Sequence, residues 1–232
     1  MKDTIRDKLI VALDLPSAVQ ARALVDRLGE EVSFYKVGLE LLFSGGLDLA
    51  QDLKRSGKRV FLDMKLLDIG NTVERAVATA AQLGVDFLTV HGHDRKTLDA
   101  AVKGRGTAPL KLLAVTVLTS LDANDLAEQG STMEPAELVL RRARLARAAG
   151  FDGVIASGQE AAAVRSATGP GFLIVTPGIR LPGGAAGDQA RITTPRKALA
   201  EGANHLVVGR PINAAADPLA AARSFLSDIA QG

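Results

Sequence analysis

Arg59-Val-Phe-Leu-Asp-Met-Lys-Leu-Leu-Asp-Ile-Gly-Asn-Thr72, with the helical run Val73 to Leu83 and Gly84 behind it, holds one strand-to-helix unit and the densest polar chemistry of the chain. Its opening residues read as a buried strand, with Phe61, Asp63 and Lys65 on one face and Leu62 and Met64 on the other. Two opposite charges therefore point the same way. Stripping water from an ion is costly unless it is paired and hydrogen-bonded, so a core-facing strand keeps Asp63 and Lys65 where a site needs them. Asp68 follows in the turn after Lys65. An acid, a base and an acid so closely spaced hold a lysine protonated and crowd any anion placed beside them. The expected reaction centre lies here.

The same strand-then-helix pattern recurs on both sides. Leu9 to Leu13 is an apolar run ending at Asp14, and Pro16-Ser17 opens a helix reaching about Leu28. Phe34 to Gly38 gives a second strand, with a helix near Leu47 to Lys54 behind it. Beyond the opening stretch come strands at Asp86 to His91, Lys111 to Leu118, Gly153 to Ser157, Phe172 to Thr176 and His205 to Gly209. Each is followed by helical periodicity, the longest from Glu134-Pro135 to Gly150 and the last from Asp217-Pro218. Short apolar strands alternating with helices specify a parallel sheet covered by helices, and eight units favour closure into a (β/α)8 TIM barrel. The rival is an open doubly wound sheet. It loses support because no G-x-G-x-x-G follows the first strand and no G-x-x-x-x-G-K-[ST] loop occurs. No composition break divides residues 1–232, so one barrel domain is expected.

Composition narrows the functional classes. The chain is 47% apolar, enough for a sizeable core, while aromatics are 3% and Trp is absent, which leaves little for base stacking and argues against a single-strand nucleic-acid binder. The net charge is +2, and the densest basic run, Arg141-Arg142-Ala-Arg144, reads as a solvated helix face; no nucleic-acid partner is expected. Without cysteine there are no disulfides, thiolate nucleophiles or cysteine metal sites. The N-terminus carries acids and no apolar signal core, and no stretch nears the roughly 20 apolar residues of a membrane span. A soluble cytoplasmic protein with no membrane partner is the expectation.

In such barrels the active site gathers at the C-terminal strand ends. The polar residues fall there: Asp14 after the first strand, Lys36 in the second, Asp63 and Lys65 in the third, His91 ending the fourth, Thr119-Ser120 after the fifth and Arg210 after the eighth. Any one of these reads equally as a cap or a satisfied core group. Pro177-Gly-Ile-Arg180 and Gly209-Arg210-Pro each set a glycine beside an arginine after the last two strands, where barrels commonly hold phosphate. Between them, Leu181 to Gln189 is rich in small residues, as a lid is. His91-Gly-His93 lacks further ligands nearby in sequence, so no metal site is expected.

Taken in order, Asp63-x-Lys65-x-x-Asp68-Ile-x-Asn-Thr72, Thr119-Ser120, Pro177-Gly-Ile-Arg180, Asp188-Gln189 and Val208-Gly-Arg210-Pro resemble the orotidine 5′-phosphate decarboxylase family over nearly the whole chain. The resemblance implies a homodimer, cofactor-free decarboxylation and binding of orotidine 5′-monophosphate (OMP). Carried over by residue, it makes Lys65 the proton donor to C6 and Asp63 the carboxylate set against the departing carboxylate. Asp68 and Thr72 would act across the dimer interface. Asp14 and Lys36 would hold the ribose, with Lys36 also supporting the charge array. Ser120 and Thr119 would meet the pyrimidine, Gln189 would join base to phosphate, and Arg180, Gly209 and Arg210 would grip the phosphate. Gly70 departs from the family's usual proline, and His91-Gly-His93 from its usual small-residue turn. A metal-dependent sugar-phosphate lyase of the same superfamily and a non-catalytic phosphate sensor are the competing functions.

Overall fold

The computed structural model describes residues 5–184 and 192–231. Eight parallel strands, β1 (Leu9–Ala12), β2 (Phe34–Gly38), β3 (Arg59–Leu66), β4 (Phe87–His91), β5 (Lys111–Val115), β6 (Gly153–Ile155), β7 (Leu173–Thr176) and β8 (His205–Val208), pair in sequence order. β8 pairs with β1, so the sheet closes into a barrel. The helices α1 (Ala18–Leu28), α2 (Leu47–Arg55), α3 (Gly70–Gln82), α4 (Arg95–Arg105), α5 (Pro135–Ala149), α6 (Ala161–Thr168), α7 (Pro195–Ala200) and α8 (Pro218–Ala230) alternate with the strands. Closure removes every sheet edge, and the open-sheet alternative is excluded. Among the described residues no helix is long and apolar enough to cross a membrane.

Local chemistry starts the helices, at Ser17, Pro135 and Pro218 as expected. Ser17, Asp94, Thr194 and Asp217 each accept a backbone N–H of the first turn, and Pro135, Pro195 and Pro218 sit where a missing N–H costs nothing. Helix α3 starts at Gly70, earlier than the Thr72 expected, so Gly70 occupies the first helical position, one that proline also suits. β5 ends at Val115, short of the Leu118 expected: Thr116 still donates to Ile155 O, and Val117 and Leu118 beyond it line the barrel mouth. Short helices at Ala123–Glu128 and Arg210–Asn213, and a helical turn at Leu39–Leu41 running into a π-turn, had too few residues to show periodicity.

Strand alternation separates two apolar layers. Outward residues such as Leu9, Val11, Tyr35, Leu62, Leu88 and Ile174 pack beneath the helices. Inward residues Ile10, Phe34, Phe61, Phe87, Leu113, Val175 and Val207 fill the barrel, with Phe34 and Phe87 edge-on at 5.0 Å. Its N-terminal end is plugged by His205 against both rings and by the Arg59 guanidinium, 4.2 Å from the Phe34 centroid.

That end also carries a repeated clamp. The residue just before an even strand accepts the N–H of the second residue of the preceding odd strand: Asp86 from Val60 at 2.8 Å, Asp152 from Leu112 at 3.0 Å, Asn204 from Ile174 at 2.8 Å. A cation from the helix entering the odd strand reaches each acceptor, namely Lys54 at 2.7 Å, Arg105 at 2.6 Å and Arg165 at 2.6 Å. Arg165 also donates to the carbonyls of Gly169, Phe172 and Gly202. Its replacement by alanine would leave several part-buried acceptors without a donor, an expected loss of about 2–3 kcal/mol. Urea denaturation should show this as a lower midpoint with an unchanged slope, and the folded variant should keep its ligand affinity, because the clamp lies at the end remote from the cavity.

Candidate active site

The C-terminal barrel mouth opens into a cavity of about 610 Å³, a size suited to a small-molecule ligand. Three kinds of wall surround it. Asp14, Lys36, Asp63 and Lys65 form a charged side; Phe61, Val115, Val117, Ile155, Ala156 and Val207 an apolar middle; Gly178, Arg180, Gly209 and Arg210 a side of glycines and arginines.

The charged side is one continuous array. Lys36 Nζ lies 2.9 Å from Asp14 Oδ1 and 3.4 Å from Asp63 Oδ2, and Lys65 Nζ lies 2.8 Å from the same Asp63 oxygen. Burial opposes the charge on Lys36, but the carboxylates of Asp63 and Asp14 outweigh it and raise its pKa above the ordinary lysine value. Burial likewise pushes the Asp63 carboxyl up, while Lys36 and Lys65 more than reverse this and hold it below the ordinary carboxylate value. Both groups are therefore charged at neutral pH. Removing either one leaves the other with one opposite charge in place of two, Asp63 with Lys65 or Lys36 with Asp14.

Backbone geometry makes the array possible. The β3–β4 register slips between Leu62 and Leu66, and Lys65 takes φ 50°, the positive-φ residue other than glycine among those described. The regular alternation expected from the sequence is thus broken at the residues it was used to place, yet Phe61, Asp63 and Lys65 still face one cavity. Gly38 leaves the pair room: a Cβ there would lie 2.8 Å from Asp14 Oδ1 and 2.9 Å from Lys36 Nζ and would displace these side-chain ends from their present contact. Across the mouth, Ile179 bridges Thr193, the Arg180 N–H donates to Thr193 O at 2.9 Å, and the Arg180 guanidinium is buried with Nη1 donating to Ile179 O. Arg180 and Thr193 are thereby tied to each other beside the barrel mouth. Gly158 admits Thr193, whose Cγ2 would sit 2.2 Å from an added Cβ.

Of the residues singled out in the sequence, Asp14, Lys36, Asp63, Lys65, Thr119, Arg180, Gly209 and Arg210 line this one cavity. Asp68, Thr72 and Ser120 do not; all three are exposed, and Asp68 Oδ1 accepts the Ile69 N–H at 2.6 Å. Gln189 and Asp188 lie outside the described residues. The His91 and His93 rings stand 4.8 Å apart, and among the described residues no group of three or more His, Cys, Asp or Glu converges as metal ligands. Burial, with help from His93, Lys65 and Arg142, pushes the His91 pKa down to about 4, so the imidazole beside Lys65 is neutral at pH 7. Thr89 was missed. It stands in β4 two residues beyond inward Phe87, as Lys36 stands beyond Phe34 and Asp63 beyond Phe61, a Phe-x-polar pattern legible in all three strands.

The orotidine 5′-phosphate decarboxylase / HUMPS family pattern matches residues 7–225. An orotidine 5′-phosphate decarboxylase of Rhodopseudomonas palustris (strain BisB5) is 54% identical over 226 residues, covering 97% of this chain and 96% of its own. One of Methylobacterium sp. (strain 4-46) is 55% identical over 231 residues, with 98% of each chain covered. The crystal structure of orotidine 5′-phosphate decarboxylase from Lactobacillus acidophilus superposes with a TM-score of 0.84 at 38% identity, covering 95% of this chain and 98% of that one. A match of this extent, on a chain whose cavity gathers the charged array and both arginine loops, makes the protein a member of the orotidine 5′-phosphate decarboxylase / HUMPS family.

Proposed function

We propose that the protein converts OMP to UMP and CO2, a step of de novo pyrimidine biosynthesis, without metal or cofactor. The observation that carries this reading is the order of the cavity walls. A charged array, an apolar slot and a paired-arginine side match a carboxylated pyrimidine joined through ribose to phosphate.

The chemistry asks for little else. The C6–carboxylate bond breaks with its electron pair left on C6, CO2 departs, and a proton must reach the carbanion before recombination. No imine or thiazolium sink is present in the substrate, so stabilisation must be electrostatic. Lys65 is the proposed proton donor. Asp63 would face the substrate carboxylate and disfavour the ground state, while Lys36 keeps Asp63 ionised and, with Asp14, meets the ribose. Thr119 and Ser120 would contact the pyrimidine, and Gln189 would link base and phosphate. Phosphate binding at Arg180, Gly209 and Arg210 supplies remote binding energy that offsets desolvation at C6.

Asp68 and Thr72 are assigned to the active site of a second subunit in a homodimer. Their exposure supports this, as do Leu67 and Ile69 flanking Asp68 at 50% and 73% exposure, apolar surface that a second copy would cover. The metal-dependent lyase reading needs a carboxylate in β2 as ligand. Lys36 occupies that place with its ammonium already between Asp14 and Asp63, which disfavours Mg²⁺.

Purified, EDTA-treated protein should convert OMP to UMP, followed by loss of OMP absorbance. Lys65→Ala should abolish turnover while UMP still binds; a variant that keeps its activity removes lysine from the proposed role. The dimer assignment has its own test. Asp68→Ala and Lys65→Ala proteins, each inactive alone, should recover activity on mixing and subunit exchange, since one hybrid site then holds both native residues. Exchanged but inactive hybrids would place Asp68 outside the partner's site.

A further inference from the structure

Thr89 is wholly buried behind the array and lines no part of the cavity, yet its single hydroxyl joins two of the groups on which the proposed reaction depends. It accepts the Lys65 backbone N–H at 2.9 Å and donates to Asp63 Oδ1 at 2.9 Å. The direction of each bond is fixed by chemistry: an amide can only donate and an ionised carboxylate can only accept.

Each bond answers a specific need. The register slip in β3 takes the Lys65 amide out of the regular β3–β4 ladder, and φ 50° at a residue bearing a long side chain persists only where the surroundings hold it. The Thr89 hydroxyl supplies the missing acceptor. Asp63 has the complementary problem. Its Oδ2 is shared by the two ammonium groups, and one held oxygen leaves the carboxylate free to pivot about its Cβ–Cγ bond. The bond to Oδ1 fixes the second oxygen and with it the carboxylate plane.

We propose that Thr89 is a positioning residue that locks the Asp63 carboxylate plane and the left-handed Lys65 backbone through one hydroxyl, so that aspartate and ammonium meet the substrate in a single relative geometry. The inference rests on the decarboxylase reading. It differs from a packing role in its kinetic signature, because nothing that binds ribose or phosphate touches Thr89. Loss of the hydroxyl should misalign the transition-state groups and leave ground-state binding alone.

The experiment compares wild type, Thr89→Val, which keeps the shape and loses the hydroxyl, and Thr89→Ser, which keeps the hydroxyl and loses a methyl group. The expected result is a kcat lower by about 10–100-fold in Thr89→Val, the scale of a small misplacement of catalytic groups, with KM and UMP affinity near wild type. Thr89→Ser should recover most of the rate despite its cavity. A Thr89→Val enzyme with wild-type kcat would overturn the proposal, as would equal losses of rate, UMP affinity and melting temperature in both variants, which would make Thr89 a packing residue. Wild-type protein inactive on OMP would instead overturn the decarboxylase reading itself.

Discussion

A carboxylate almost withdrawn from water and shared between two ammonium groups is costly to build, and Asp63 is such a group, with its side chain 13% exposed beside Lys36 at 9%. Replacing buried ion pairs by well-packed apolar residues is commonly neutral or stabilising by about 1–4 kcal/mol. Stability alone therefore gives no reason to keep Asp14, Lys36, Asp63 and Lys65 together. The surrounding structure is shaped to hold them: a slipped register in β3, a positive φ at Lys65, a glycine at 38 that leaves the Asp14–Lys36 pair its present contact, and a buried hydroxyl behind. Local rules of strand formation are broken at one place, and that place is the cavity.

The opposite end of the barrel obeys those rules. The Asp86, Asp152 and Asn204 clamps recur every second strand, each with its helix-borne cation, and none of the three acceptors faces the cavity. Division of labour follows from geometry. Residues at the N-terminal end tie units together, while those at the C-terminal strand ends remain available to a ligand. The strain at Lys65 can persist because the frame beneath it, closed by Phe34, Phe61, Phe87 and His205, is over-determined.

The eight-unit barrel was legible because strand and helix periods are local, and Ser17, Pro135 and Asp217 mark helix starts without reference to distant residues. The Asp63–Lys65 face was legible for the same reason, although the strand there departs from simple alternation. What escaped was tertiary. Gly38 looks like any glycine until Asp14 and Lys36 are seen where its Cβ would be, and Gly158 until Thr193 arrives from the loop after the neighbouring strand. Thr89 looks like a β-branched strand residue, and only the repeated Phe-x-polar spacing of β2, β3 and β4 marks it in advance. Asp68 lies close to Lys65 in sequence, but the turn carries it outward, because sequence proximity after a strand end says nothing about direction.

The placing of the two charged regions has an energetic logic under the proposed reaction. Asp63 and the substrate carboxylate repel, so the reacting end of the ligand cannot supply its own affinity. Affinity has to come from a part of the ligand that does not change during the reaction, and the Arg180 and Arg210 side of the cavity provides cationic charge for that purpose. The two regions arise from adjoining arcs of one closed barrel, β7 to β8 and β1 to β3, joined where β8 pairs with β1, so the spacing between them is set by the sheet itself. Phosphate bound on the β7–β8 arc would hold the carboxylated ring against the array on the arc beside it. A rigid scaffold is then part of the chemistry: were the barrel to yield, the repulsion would be relaxed by movement of the protein and would no longer be released by loss of CO2.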